Sequence, residues 1–383
     1  MNRTIIHFSS LSSFIGDGCP VWFDEHNVKL GLLGSLANDR ACIDYVLDGK
    51  IKCCESFMWD SGAVSVRNRK TAITLEDYVG WVKEIHYNPN IPVTIVALDV
   101  IGDAEASYRN YMELKYKYAF GNNFLPVYHY GEPRFYLEHL LEEGFTYIGI
   151  GGVGAGDRLG QDALRDWLDD VFFVNGDGKT LRYPDVKFHG FAITSKDTLR
   201  RVPFYSVDSA TWVKNSANGR ILTPFGDYRI SDDPRSGYDV LHFKRASKNL
   251  QDKVVEWIES LGLTLNDVVN DRLAKHIVNI NFYKWVEEAY AWRPRTVADK
   301  SIFALREQLE SEVKTKKKIV LTGLKKPEPK IEVEEPEVQE ESIVTRVEPP
   351  SVEITHVGIG ASTETMCPHC KKIIRASIVL ENV

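Results

Sequence analysis

Residues 187–212 read KFHGFAITSKDTLRRVPFYSVDSATW, and this stretch decides the fold. KFHGFAI is a short apolar run bounded by charge. SKDTL follows, with Ser195 placed to cap a helix and Asp197 in its first turn. VPFYSVD is a second apolar run, and it ends on Asp208. Strand, short helix, strand is the repeat of a parallel α/β fold. A carboxylate at the C-terminal end of a buried parallel strand stands where an α/β barrel keeps its chemistry. Asp208 is therefore the candidate catalytic residue. The competing reading makes it a cap for the turn or helix that follows.

The same repeat extends outward in both directions. Strands are expected at Thr4–Ser9, Glu55–Trp59, Pro92–Leu98, Phe124–Tyr130 and Tyr147–Gly152, and 28–36 reads as either another strand or the turn into a helix. Helices are expected at Thr74–His86, Asp103–Phe120, Pro133–Glu143 and Gln161–Phe173. The strands are continuous apolar runs without alternation, which argues for burial on both faces and parallel pairing. Units of roughly 30–45 residues, six or seven of them, favour a (β/α)8 TIM-type barrel over an open sheet, though the sequence pattern does not decide closure. Beyond Trp212 comes a hairpin-like insertion over 213–230. Helical segments are expected at Asn249–Leu261, Leu265–Trp292 and Ser301–Lys317. The expected organisation is a barrel domain over 1–245, a C-terminal helical extension over 246–320, a flexible Pro/Glu-rich linker over 321–360, and a small CxxC segment over 361–383.

The 383 residues are 43% hydrophobic and 26% charged, which suits a globular chain with a sizeable core. Net charge is −7, so the whole chain is not a basic nucleic-acid binder. Eight Glu against four Lys or Arg over 325–350 place about −4 of that charge in one acidic tail. The rest is near neutral and carries local basic clusters: Arg200 with Arg201, Arg229 with Arg235, Lys244 with Arg245 and Lys248, and Arg293 with Arg295. Such clusters are either solvated faces or a phosphate-tracking surface. No apolar stretch is long enough to span a membrane, and the N-terminus lacks the pattern of a signal peptide. A cytoplasmic location, reduced cysteines and no membrane partner are the expectation.

Three motifs carry chemistry. GGVGAGD at 151–157 follows a strand and precedes a helix. Its spacing fails the dinucleotide fingerprint, leaving close backbone approach to a flat ligand or a flexible turn. Cys367-Pro368-His369-Cys370 is half of a zinc site; His369, His356 or a second chain would have to complete it, and a reduced thiol pair is the alternative. Asp60, Asp99 and Asp208 each follow an apolar strand. Three carboxylates converging on one barrel mouth would be costly to bury without a function.

In these residues the chain resembles the tRNA-guanine transglycosylase superfamily, and within it the 7-deazaguanine DNA transglycosylases of bacteria and phages. Trp59-Asp60-Ser61-Gly62-Ala63 is similar to the family's DSGGFQ stretch, and Ala97-Leu98-Asp99 to the segment whose Asp reads the base edge. Gly151-Gly152-Val153-Gly154 is similar to the GGLAVGE loop. His189-Gly190-Phe191 stands where the family has MGVG, and Ser206-Val207-Asp208 matches the strand end bearing the nucleophile. Ser216-Ala217-Asn218-Gly219 resembles the RNG segment. The resemblance covers roughly residues 50–230. The Phe-Gln of DSGGFQ is absent. The VQG strand end appears as Val127-Tyr128-His129-Tyr130-Gly131, without its amide. The CxCxxC-and-His zinc site of the tRNA enzymes has no full counterpart, which favours DNA as substrate.

The resemblance implies a base exchange that replaces guanine in DNA with a 7-deazaguanine of the preQ0 type. Asp208 would be the nucleophile and Asp60 the general acid/base. Asp99, His129, Gly151, Gly152, Val153, His189 and Phe191 would bind the base, with His189 or Phe191 packing on its ring. Arg220, Arg229 and Lys244 are candidates for phosphate contact. No cofactor is required, and zinc at Cys367 and Cys370 would be accessory. DNA, the incoming base and other DNA-modification proteins are the expected partners. The rival expectations are a tRNA-specific transglycosylase, a non-catalytic nucleic-acid-binding paralogue, and an unrelated barrel enzyme such as an aldolase or decarboxylase.

Overall fold

Continuous apolar runs need cover on both faces, and the computed structural model of the chain provides it. It describes residues 3–63, 73–84, 89–152, 161–231, 240–294, 363–366 and 373–376. Eight strands belong to the main sheet: β1 Ile5–Phe8, β2 Leu30–Ser35, β3 Cys54–Asp60, β4 Val93–Ile95, β5 Val127–His129, β6 Tyr147–Gly151, β7 Lys187–Gly190 and β8 Ser206–Ser209. They make one curled sheet in the order β4-β3-β2-β1-β8-β7-β6-β5. Every pairing in it is parallel. The first strand lies between the second and the eighth. At the sheet's two edges a parallel bridge joins Val96 to Leu125. There the Ala97 N–H donates to the Leu125 carbonyl (2.9 Å) and the Leu125 N–H to the Ile95 carbonyl (2.7 Å). The result is a TIM-like α/β fold.

The period-2 alternation of a strand sorts its side chains between two layers. Ile6, Phe8, Leu32, Phe57, Ile148, Ile150, Phe188 and Val207 belong to the large core that also takes in side chains of the surrounding helices. Leu33, Met58, Val96, Leu125 and Val127 form a smaller cluster on the other face, with Tyr147 and Phe191 packed against it. On β3 this alternation puts Asp60 on the side of Met58. On β8 it puts Ser206 and Asp208 opposite Val207.

Local signals in the helices mostly hold. Thr74 caps Leu75–Lys83 by accepting the Asp77 N–H, and Asp103 caps Ala104–Met112 by accepting the Ala106 N–H. Ser195 sits at the cap position of Lys196–Arg201, but its hydroxyl makes no capping bond. The helix expected to run to Phe120 changes character. It widens into a π-turn at Glu113–Lys117 and ends where Ala119 turns left-handed (φ 59°) and the Phe120 N–H reaches back to the Leu114 carbonyl. The segment expected as one helix over Leu265–Trp292 is two, Leu265–Asn270 and Arg272–Ala289. Asp271 between them is extended, and its carboxylate caps the second by accepting the Leu273 N–H. The insertion after Trp212 is a helix, Thr211–Ala217, followed by an antiparallel hairpin of β9, Arg220–Thr223, and β10, Gly226–Arg229.

Helix Arg272–Ala289, within the C-terminal helical extension expected over 246–320, is buried on most of its circumference. Ile277, Ile280, Phe282, Tyr283 and Val286 enter the main core. Ala274 and Val278 enter a second core with Ile221 and Tyr228 of the hairpin and Val254, Ile258 and Val268 of the preceding helices. Glu287 accepts the Ile6 N–H of β1 at 2.8 Å. Packing therefore continues past residue 245, and residues 1–311 form one compact unit. Asn279 is fully buried at the junction. Its Oδ1 accepts the Leu222 N–H (2.7 Å), and its Nδ2 donates to Ser216 Oγ (2.9 Å) and to the Trp212 and Arg220 carbonyls (both 3.2 Å). Asn279→Ala leaves several buried groups unsatisfied. It is expected to cost about 3 kcal/mol, read as a lower midpoint in chemical denaturation.

The second unit spans residues 312–383. Its described residues are an antiparallel pair, Thr363–Met366 with Ile373–Ala376. The helix expected at Ser301–Lys317, the linker over 321–360, and Cys367 and Cys370 lie outside the described residues.

Candidate active site

Asp60 is the last residue of β3, Asp99 follows β4, and Asp208 is the third residue of β8. Parallel strands all exit at one end of the sheet, so the three carboxylates meet there. Their proximity registers in Asp60. Its pKa is raised to about 7, first by burial and then by the negative charges of Asp99 and Asp208, against the Gly62 N–H that favours its ionised form. That N–H donates to Asp60 Oδ2 at 3.2 Å.

Asp99 is buried and held on both oxygens. Ser61 Oγ donates to Oδ1 at 3.3 Å, and His129 Nε2 lies 2.9 Å from Oδ2. His129 Nδ1 lies 3.0 Å from Glu132 Oε1, while the His129 N–H donates to Glu132 Oε2 at 2.9 Å. Burial disfavours charge on this ring, but its hydrogen bonds to Asp99 and Glu132 outweigh that and raise its pKa to about 9. His129 is thus an imidazolium at neutral pH, donating from both nitrogens into a carboxylate on each side. Gly151 makes room for it, since a Cβ there would stand 2.6 Å from His129 Cδ2. Gly152 has φ 79°, which a side chain would strain, and its Cβ would also press on the Tyr130 backbone nitrogen at 3.1 Å.

The raised His129 pKa has a stability consequence. A histidine whose folded pKa exceeds its unfolded value of 6.5 contributes stability that is complete below pH 6.5 and is lost as pH rises through about 9. Most of a contribution on the order of 3 kcal/mol should therefore disappear between pH 6.5 and 9. Urea unfolding at pH 6.5 and 8.5 is expected to show this decline in the wild type. Most of the decline should be lost in His129→Gln, leaving the smaller part that Asp60, whose pKa is raised to about 7, contributes near the start of this window. Stopping at pH 8.5 keeps the buried thiols, whose pKa values burial pushes up, largely out of the comparison.

Asp208 is anchored by the Ala192 N–H, which donates to Oδ1 at 2.8 Å. Ala192 is left-handed (φ 56°), a conformation that costs energy in a non-glycine residue and here aims its N–H at the carboxylate. This bond does not cap a following helix. His189 is wholly buried on β7, between the rings of Phe191 (centroids 4.5 Å) and His7 (5.9 Å). Of the two residues expected to pack on the base, His189 therefore has its ring in the interior. Phe191 keeps a partly exposed ring, packed where Gly149 has no side chain.

Lys244 is exposed and Arg220 half-buried. Arg229, the third candidate for phosphate contact, is only 7% exposed. Its strand is paired with Arg220 on one side and bridged to His242 on the other, which encloses it. Val153 lies outside the described residues. Sequence reasoning missed Glu132, Ser61 and the Ala192 N–H. The only clue to Glu132 was its place one turn beyond His129, across Gly131 (φ 84°). Among the described residues no group of three or more His, Cys, Asp or Glu is arranged to hold a metal, and no helix is long and apolar enough to cross a membrane. No protein-family model matches this chain, and no curated protein matches it either.

Proposed function

We propose that the chain is a base-exchange transglycosylase that replaces guanine in DNA with a 7-deazaguanine, through a covalent aspartyl–deoxyribose intermediate on a closed (β/α)8 barrel. One observation carries the reading: Asp60, Asp99 and Asp208 converge at one sheet end, with Asp60 poised near neutrality. The Val96–Leu125 link between the sheet edges supports closure.

The roles follow from the contacts. A carboxylate oxygen of Asp208 forms a bond to C1′ as the C1′–N9 bond breaks. The electron pair stays with the departing guanine, and Asp60 gives that base a proton. The incoming base then loses its N9 proton to the Asp60 carboxylate and displaces Asp208 from C1′. Two inversions leave the configuration retained. A group titrating near 7 serves both halves, since it holds a proton for the first and is free of it for the second. Asp99, oriented by the His129 ring and the Ser61 hydroxyl, accepts the N–H groups of the base edge. Gly151 and Gly152 let the backbone approach the base plane. The target nucleotide must be flipped out or already single-stranded. Phosphate contacts from Arg220 and Lys244 would make binding weaken with salt.

The test supplies a preQ0-type base and follows labelled guanine out of DNA and out of tRNA. Release from DNA alone supports the proposal. Release from tRNA alone reassigns the substrate, and release from neither overturns the catalytic reading.

A further inference from the structure

Below Asp208 runs a row of polar side chains, His189 and Ser206 buried and Tyr147 half-buried, that the exchange chemistry does not itself require. Tyr147 of β6 places its hydroxyl 2.5 Å from Ser206 Oγ of β8. Ser206 Oγ lies 2.7 Å from His189 Nδ1. His189 Nε2 in turn lies 3.6 Å from Asp208 Oδ1 and has no hydrogen-bond partner, although it is buried. Register explains the placement: His189 and Ser206 are direct partners across β7 and β8, and Asp208 is two residues beyond Ser206 on the same face. A buried ring nitrogen without a partner is costly, and such groups ask for an explanation.

We propose that the Tyr147–Ser206–His189 row positions the nucleophile, with His189 Nε2–H donating to Asp208 Oδ1 during the reaction. This rests on the reading of Asp208 as nucleophile. The facing carboxylate selects the tautomer, because a lone pair on Nε2 would point at negative charge while an N–H is attracted to it. Nδ1 is then the acceptor. Ser206 donates to Nδ1, and Tyr147 donates to Ser206. Burial pushes the Tyr147 hydroxyl pKa up, so it stays protonated across the working range. The 3.6 Å gap lies just outside hydrogen-bond reach, and catalytic hydrogen bonds tighten once substrate is in place.

The consequence is a division of labour between the two carboxylate oxygens. Oδ1 is held by the Ala192 N–H and faces His189, while no donor among the described residues holds Oδ2. Oδ2 therefore attacks C1′ and becomes the ester oxygen, with Oδ1 as the ester carbonyl. When the incoming base attacks C1′, the C1′–Oδ2 bond breaks and its electron pair returns to the carboxylate. The His189 and Ala192 donors stabilise that returning charge. His189 thus acts chiefly on the second half of the exchange, as a positioning residue that does not touch the sugar or the base.

The experiment traps the covalent protein–DNA adduct by denaturing quench during turnover and measures its decay on adding a preQ0-type base. Ser206→Ala, a small change that leaves Nδ1 without its donor, is expected to slow adduct decay severalfold. His189→Leu is expected to slow it about tenfold, the loss of one hydrogen bond to a developing charge. His189→Gln, which restores an N–H, is expected to recover most of the rate. KM for the incoming base should stay unchanged in all three, whereas a merely structural defect would move KM and the unfolding midpoint together. Wild-type decay in folded Ser206→Ala and His189→Leu overturns the proposal while leaving Asp208 as nucleophile. Adduct formation by Asp208→Ala overturns the underlying reading instead.

Discussion

Asp208→Ala is expected to abolish base exchange, with a loss of at least about 10³-fold in kcat and no covalent adduct on denaturing gels. The side chain sits on the inner face of β8, and its one strong anchor is a backbone N–H. Removing it leaves that N–H without its acceptor, a cost of about 1–3 kcal/mol. The fold, held by cores on both faces of the sheet, should survive this. Asp208→Asn separates the contributions. It keeps the shape and the oxygen that accepts from Ala192, but an amide is a far poorer nucleophile. Asp208→Asn is therefore expected to bind DNA like the wild type and to form no adduct. If either variant exchanged guanine at a tenth of the wild-type rate or better, the nucleophile would lie elsewhere.

Asp60→Asn should give the second-largest effect, and its sign with pH can be worked out in advance. Guanine release needs Asp60 protonated, and its pKa is raised to about 7. The single-turnover rate of release is therefore expected to be level below about pH 6 and to fall tenfold per pH unit well above 7. Asp60→Asn cannot deliver a proton. Release should drop about 10²–10⁴-fold, and the descending limb should vanish. Re-addition of the base needs the ionised form, so its rate should rise over the same window. A descending limb that persists in Asp60→Asn would assign that titration to another group. Asp99→Asn offers a further contrast, because removing a neighbouring negative charge should move the limb to lower pH.

How much of this was legible in the sequence varies with the kind of feature. Strand exits could be read because continuous apolar runs ending on Asp or Gly mark both the element and its end; Asp60, Asp99 and Asp208 were found that way. Polar helix starts read at Thr74 and Asp103 hold, each side chain meeting its own helix three residues on, whereas Ser195, read as a cap, makes no capping bond. Such signals failed at Asp271, where an aspartate inside an apolar pattern starts a new helix. His129 was legible as a site residue, but its charge was not. That charge depends on Glu132 and Asp99, which meet the ring from a turn and from another strand exit. At His189 and Arg229 the sequence left burial open, because a polar residue on a strand looks the same whether it faces a ligand or the interior.

The sequence by itself determined the parallel α/β class, the order of the elements and the three carboxylates at strand ends, because periodicity and local capping act over a few residues. Only the tertiary structure decided the rest. It placed the Arg272–Ala289 helix within the main core, enclosed Arg229 and set His189 beneath Asp208. It also raised the pKa values of Asp60 and His129. Burial and charge–charge coupling depend on distances between residues far apart in the chain, and those distances exist only once β1 has paired with both β2 and β8.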